Sequence, residues 1–153
     1  PDARVTAGAG SAGAQGFARR NVVGSPVELV RADVTDGTAL LRELDGQVDL
    51  VVANPPYIPD GVDLEPEVAQ HDPPHALFGG PDGMTVITAI VELAGRWLKP
   101  GGFCGIEHDD TTSAATVKAF AVSHRFVGVT AHRDLADRPR FVTAIRERVE
   151  ANG

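Results

Sequence analysis

The four residues Asn54-Pro55-Pro56-Tyr57 gather the groups needed to hold a planar nitrogen for reaction. An amide nitrogen is a poor nucleophile because its lone pair is delocalised into the carbonyl. A site that uses one must hold the nitrogen in line with an electrophile, such as a sulfonium methyl group, and orient that lone pair. The Asn54 carboxamide oxygen can accept one N–H, and the Pro55 carbonyl a second, with the two prolines stiffening the turn that aims it. Tyr57 can stack on the flat acceptor. Positioning of this kind contributes up to ~7–11 kcal/mol to lowering a barrier. The competing reading is a plain turn, since Asn-Pro and Pro-Pro are common turn dipeptides.

The elements around the motif favour a ligand site. Val48–Ala53 is almost wholly apolar and reads as a central parallel strand buried on both faces. The motif therefore follows a strand of an open α/β sheet, where ligands bind. Ahead of it, Ala3–Ala7 and Val27–Ala32 read as strands, with Ala14–Asn21 as a helix between them. Gly8–Gly13 reads as a flexible loop, and Thr38–Leu44 as one or two helical turns. Residues 60–82 lack periodicity and read as a long functional loop. Gly83–Leu98 is an amphipathic helix with Met84, Ile87, Ile90, Val91, Ala94 and Leu98 on its apolar face, stopped by Lys99-Pro100-Gly101-Gly102. Phe103–Glu107 reads as a strand. Thr111–His124 reads as a helix with Thr111 and Thr112 as N-caps. Phe126–Ala131 and Arg140–Ile145 read as strands joined by a turn at Asp137-Arg138-Pro139. The alternation predicts one α/β domain over residues 1–153 with a mainly parallel sheet.

Composition narrows the class. The 14 Lys and Arg against 21 Asp and Glu give a net charge of −7, which argues against an extended nucleic-acid-binding face. The single cysteine, Cys104, excludes an internal disulfide and fits a reducing, cytoplasmic setting. No apolar run is long enough for a transmembrane helix, so no membrane partner is expected. His71 and His75 are four apart, but Pro73 and Pro74 between them prevent a regular helix, and no metal site is expected. Cys104 and Trp97 read as packing residues. Ser113 and Ser123 lack a nucleophile elbow. Glu107-His108-Asp109-Asp110 follows a strand, with Glu107 divided between support of the site and plain surface. Arg133, Arg138 and Arg140 read as a solvated loop face that could meet an acidic partner.

Four segments, VDLVVANPPYIP, HDPPHALFGGPDGM, WLKPGGFCGIEHDD and RDLADRPRFVTA, together resemble the release-factor glutamine N-methyltransferases, from about Val27 to Ile145. Adenine-N6 DNA methyltransferases share Asn-Pro-Pro-Tyr but not usually the pattern from Asp72 to Gly83, and they call for a basic face. The resemblance implies a class I, Rossmann-like methyltransferase fold and transfer of a methyl group from S-adenosylmethionine to a glutamine side-chain nitrogen in a peptide-chain release factor. It implies that Asn54, Pro55, Pro56 and Tyr57 bind that glutamine. It places Asp33 and Val34 at the adenine pocket and Asn54 beside the cofactor. Asp72–Leu77 would shape the substrate side. On residues alone, Asp33 also reads as a solvated turn carboxylate and Asp72 as a loop cap.

The same resemblance implies an N-terminal helical domain and a first strand with a Gly-rich motif that this sequence does not display. In the family register Ala3–Ala7 is the second strand, and Gly8-Ala9-Gly10 stands where an acidic ribose ligand is expected. In a second register Gly8–Gly13 is itself a G-x-G-x-x-G motif, Ala3–Ala7 the first strand, and Asp33 the acidic residue 20 positions on. A chain that retains the acceptor motif without binding cofactor is the non-catalytic alternative.

Overall fold

The computed structural model describes residues 3–9, 12–37, 39–57, 60–61 and 79–148. They fall into two compact units, Pro1–Leu40 and Leu41–Gly153.

In the first unit, strand β1 (Val5–Ala9), helix α1 (Ala12–Asn21) and strand β2 (Val27–Arg31) form a β-α-β element. β1 and β2 are parallel, paired from Val5↔Val27 to Ala9↔Arg31. Gly8 and Ala9, expected in a loop, continue the strand, because pairing with Val30 and Arg31 satisfies backbone groups that a loop would have to hydrate. The helix starts two residues ahead of its expected Ala14. Parallel pairing of these strands is common to both registers. β2 runs into Asp33, which caps a short 3-10 turn over Val34–Asp36. The next 3-10 turn, Arg42–Leu44, takes the place of the helix expected at Thr38–Leu44, where Thr38 itself lies outside the described residues.

The second unit contains β3 (Val48–Ala53), α2 (Thr85–Trp97), β4 (Leu98–Glu107), α3 (Ser113–Val122), β5 (Phe126–Arg133) and β6 (Pro139–Arg146). The sheet order is β3-β4-β6-β5. β3 and β4 are parallel, and β6 is antiparallel to both β4 and β5. Three strands thus run one way and only β6 is reversed, a mixed and mostly parallel sheet. β4 begins earlier than expected. Val48 pairs with Leu98 and Leu50 with Phe103, so Lys99–Gly102 form an irregularity inside β4 where a helix stop was expected. Arg96–Asp45 at 2.5 Å and Lys99–Asp49 at 2.8 Å tie the end of α2 and the start of β4 to the residues flanking the start of β3.

Side-chain alternation divides the sheet. Cys104 paired with Ala144, and Ile106 with Val142, face the interior and are buried with Ile87 and Val91 of α2 and Phe120 of α3. All six residues expected on the apolar face of α2 are buried. Burial pushes the Cys104 thiol up to about 12, which suits a core residue. The opposite face carries the cross-strand row Leu50, Phe103, Ile145 and Val127, all exposed. This corrects the expectation that β3 is buried on both faces: Leu50 is 55% and Val52 72% exposed. An apolar run reports the strand but not how many of its faces are covered.

The expected Thr caps are also replaced. A 3-10 turn at Asp110–Thr112 precedes α3, and the Asp109 carboxylate accepts the Thr111 N–H at 2.9 Å. Thr112 at the α3 N-cap makes no side-chain cap bond; its hydroxyl turns back to the Asp109 carbonyl at 3.0 Å. Among the described residues no helix is long and apolar enough to cross a membrane.

Phe120 is fully buried and meets Phe126 edge-to-face at 5.0 Å. Phe120→Ala is expected to lower the stability of the Leu41–Gly153 unit by about 3–5 kcal/mol in urea unfolding followed by Trp97 fluorescence.

Candidate active site

At the carboxyl end of β3 the chain leaves the sheet and enters Asn54-Pro55-Pro56-Tyr57. Asn54 is exposed, Pro55 buried, and Pro56 and Tyr57 half-buried. The proline between them seats the turn in the protein while the carboxamide stays open to a ligand. Neither proline has an N–H that would need a partner.

The turn rests on Gly79. A Cβ at that position would lie 2.5 Å from the Pro56 carbonyl oxygen, 2.7 Å from that of Gly83 and 3.0 Å from Tyr57 Cα. Gly79 therefore admits the backbone of the motif where any side chain would collide. Its own carbonyl accepts the Thr85 N–H at 2.9 Å, so the brace is anchored to the first residue of α2. Gly80 accepts from Asp60 and Gly83, at 2.9 and 3.1 Å, and takes a positive φ of 91°. The Asp82 carboxylate accepts the Met84 N–H at 2.9 Å. The Gly79-Gly80-Pro81-Asp82-Gly83 segment thus supports the Asn54–Tyr57 turn and starts α2.

A second group of residues surrounds the Tyr57 hydroxyl. It lies 3.5 Å from Glu107 Oε1, at the outer limit of a hydrogen bond. Burial first, then the Glu107 charge, raise the tyrosine above its ordinary value, while the Arg140 guanidinium pulls the other way. Arg140 is itself held by Asp134 Oδ2, at 3.4 Å from Nε and 3.3 Å from Nη2. Asp134 Oδ1 accepts from the Ala136 and Arg138 backbone at 2.9 and 3.0 Å, closing the β5–β6 turn. These backbone bonds, the Arg138 N–H foremost, hold its carboxyl below the usual range. The β4–β6 ladder fixes the spacing: Glu107 pairs with Phe141, and the His108 N–H donates to the Arg140 carbonyl at 2.9 Å. His108 is fully buried, with Nδ1 donating to the Asp109 carbonyl at 2.7 Å.

In the first unit, Asp33 stands just past β2. Its Oδ1 accepts from the Thr35 hydroxyl at 2.6 Å and the Thr35 N–H at 2.8 Å, bonds that lower its pKa. Oδ2 takes no such bond among the described residues. Val34 beside it is half-buried.

The six site residues expected from sequence therefore form two groups, Asn54–Tyr57 in one unit and Asp33 with Val34 in the other. Asp72–Leu77, His71 and His75 lie outside the described residues. Among the described residues no group of three or more His, Cys, Asp or Glu is placed to hold a metal ion. Gly79, Asp134 and the role of Arg140 were not anticipated. The usable signal was the alternation of Asp and Arg ahead of Pro139, which the β5–β6 turn gathers into the Asp134–Arg140 pair.

No family model matches the chain. Curated relatives do. The release factor glutamine methyltransferase of Mycobacterium tuberculosis is 70% identical over 130 residues, covering 85% of this chain and 42% of the relative. Its counterpart in Mycolicibacterium smegmatis is 62% identical over 146 residues, covering 95% and 52%. A 4-amino-L-phenylalanine/4-methylamino-L-phenylalanine methyltransferase of Streptomyces pristinaespiralis is 42% identical over 127 residues, covering 82% and 42%. The chain thus spans about half the length of the curated relatives it matches. Among solved structures, a methyltransferase from Pyrococcus furiosus superposes with a TM-score of 0.65 at 18% identity, covering 95% of this chain and 64% of that one. A release-factor-specific protein-(glutamine-N5) methyltransferase from Alicyclobacillus acidocaldarius gives 0.52 at 21% identity, covering 94% and 79%. The fold is that of the class I methyltransferases, and by sequence the chain is a homologue of the release factor glutamine methyltransferases over about half their length.

Two outcomes follow. Gly79→Ala is expected to cost about 1–3 kcal/mol of stability in urea unfolding, because the Pro56 carbonyl must move. Burial, the largest single effect, raises Asp109, but the Thr111 hydroxyl and N–H bonds, with Asp110 and the Arg140 charge, together bring its native pKa below the reference 3.8. Its contribution to stability is therefore fully present above that value and lost as pH falls through the lower native one. Asp109→Asn is expected to flatten the acid limb of stability measured against pH.

Proposed function

We propose that the chain carries the acceptor half of a reaction that transfers a methyl group from S-adenosylmethionine to the side-chain amide nitrogen of a glutamine in a peptide-chain release factor. The observation that carries the reading is the exposed Asn54 carboxamide beside the buried Pro55, on a turn braced by Gly79. The 130-residue match at 70% identity cannot leave that turn out of a 153-residue chain.

Asn54 Oδ1 and the Pro55 carbonyl each accept one N–H of the primary amide, which fixes the plane of the nitrogen and turns its lone pair outward. Tyr57 offers a face on which the carboxamide stacks. The bound cofactor supplies an electrophilic methyl group. The donor set suits it: Asp33 Oδ2 is open to accept an exocyclic amino N–H, and Val34 offers an apolar edge. Once alkylated, the amide nitrogen is acidic and loses its proton to water, so no dedicated base is needed. Because the acceptors bind the N–H groups in the ground state as well as the transition state, most of the gain comes from orientation.

The test is incubation of the chain with S-adenosylmethionine and a release factor, with the modified residue located by peptide mass spectrometry. The reading expects one methyl group on a glutamine side chain, and about a hundredfold lower rate for Asn54→Ala. A folded chain that binds the cofactor yet methylates an aromatic amine in preference to the protein would reassign the acceptor. Unchanged methylation by Asn54→Ala would remove the assigned role of that carboxamide.

A further inference from the structure

One face of the β3-β4-β6-β5 sheet is buried with α2 and α3, and the other is apolar and exposed. Three cross-strand rows make up this second face. Leu50, Phe103, Ile145 and Val127 form the first row, and Val52, Gly105, Thr143 and Thr130 the second. Glu107, Phe141 and His132 form the third. Exposure of the six large apolar residues runs from 38% at Phe141 to 72% at Val52. Mostly parallel sheets are ordinarily covered on both faces. Single exposed apolar residues are normal, but a contiguous set on one face marks a contact surface. We infer that this face is a dimer interface, on which a second copy of the chain packs its own face about a two-fold axis. The inference is independent of the functional reading above and needs no methyl transfer.

Area, charge and relief point to a second copy. At these exposures the six apolar side chains present roughly 600 Å², and with Thr130, Thr143 and His132 the face approaches the about 800 Å² that each partner of a standard interface buries. The chain carries a net charge of −7, yet the three rows contain no Lys, Arg or Asp, and their one carboxylate, Glu107, stands in the last row. Two copies therefore meet here without setting rows of like charge against each other, while a charged partner finds almost nothing to pair with. Relief comes from Gly105. A Cβ there would lie 3.9 Å from Phe103 Cε1, 3.9 Å from Val52 Cγ1 and 4.0 Å from Thr143 Cγ2, so the glycine leaves a shallow hollow beside the Phe103 ring. A face with both a projecting ring and a hollow is complementary to itself, which a two-fold contact requires. The far end of the face is already ordered: His132 stacks on Phe141 at 4.7 Å, and its Nε2 lies 2.7 Å from the Thr143 hydroxyl. Side chains fixed in this way lose little freedom on association.

The test is sedimentation equilibrium of the 153-residue chain from about 1 to about 200 µM. The mass is expected to rise from 16.0 kDa to twice that value and to stop there. Val52→Lys and Val127→Lys are each expected to weaken association at least about tenfold, because a charge buried between the two faces has no partner. Both side chains are exposed in the single chain, so circular dichroism and urea unfolding are expected to stay as in wild type. Leu135→Lys is the control: Leu135 is exposed in the β5–β6 turn, outside the three rows, and its substitution is expected to leave the dimer unchanged. Added NaCl is expected to tighten the dimer, since it screens the repulsion between two chains of like net charge and leaves the apolar contact in place. A chain that stays at 16.0 kDa at the highest concentration would overturn the inference. So would a dimer unaffected by both face substitutions, or one lost equally on Leu135→Lys. A mass that grows past the dimer would overturn it in favour of edge pairing by β3, the outer strand of the sheet.

Discussion

The structure depends on a close approach of two backbones, Gly79 against the Pro56 carbonyl. β3 can deliver its last residue to an open position only if the chain turns sharply afterwards, and a turn with two prolines has few ways to do so. The stiffness that makes the turn useful also means that it cannot move aside for a neighbour. The segment that starts α2 must therefore come in without a side chain, and Gly79 does. Through the Gly79 carbonyl to Thr85 N–H bond, the same contact ties the site to the helix that covers β3 and β4. Packing of the core and placement of Asn54 are consequently one problem.

Electrostatics are used sparingly around this contact. The groups we propose to meet the acceptor, Asn54 and the Pro55 carbonyl, are neutral, as suits a neutral amide. Charged groups stand nearby: Glu107 lies 3.5 Å from the Tyr57 hydroxyl, and Arg140 is paired with Asp134. The Arg4–Glu28 pair, by contrast, is exposed at both partners and contributes little.

Much of this was legible in the sequence where a local rule applies. The apolar spacing of Met84, Ile87, Ile90, Val91, Ala94 and Leu98 marked the buried face of α2. The run Val48–Ala53 followed by Asn-Pro-Pro-Tyr marked a strand and the turn that ends it. What escaped was decided by tertiary contact. Thr111 and Thr112 are good caps by propensity, yet Asp109 reaches the free N–H first and forces a 3-10 turn. Lys99–Gly102 looks like a terminator, yet the Val48↔Leu98 pairing draws it into β4. Leu50 and Val52 looked buried because an apolar residue declares only that it can be covered. Arg140 read as surface charge because its place depends on the β4–β6 pairing, which sets it beside His108, and on Asp134, which holds its guanidinium.

The central claim is that Asn54 and Pro55 grip the two N–H groups of a primary amide. The most direct measurement is a crystal structure of the chain with S-adenosylhomocysteine and a short glutamine-containing peptide. The account predicts the glutamine nitrogen at about 2.9 Å from both Asn54 Oδ1 and the Pro55 carbonyl oxygen, with its carboxamide against the Tyr57 ring. A glutamine side chain bound with its carbonyl oxygen on Asn54, or seated away from the turn, would contradict it.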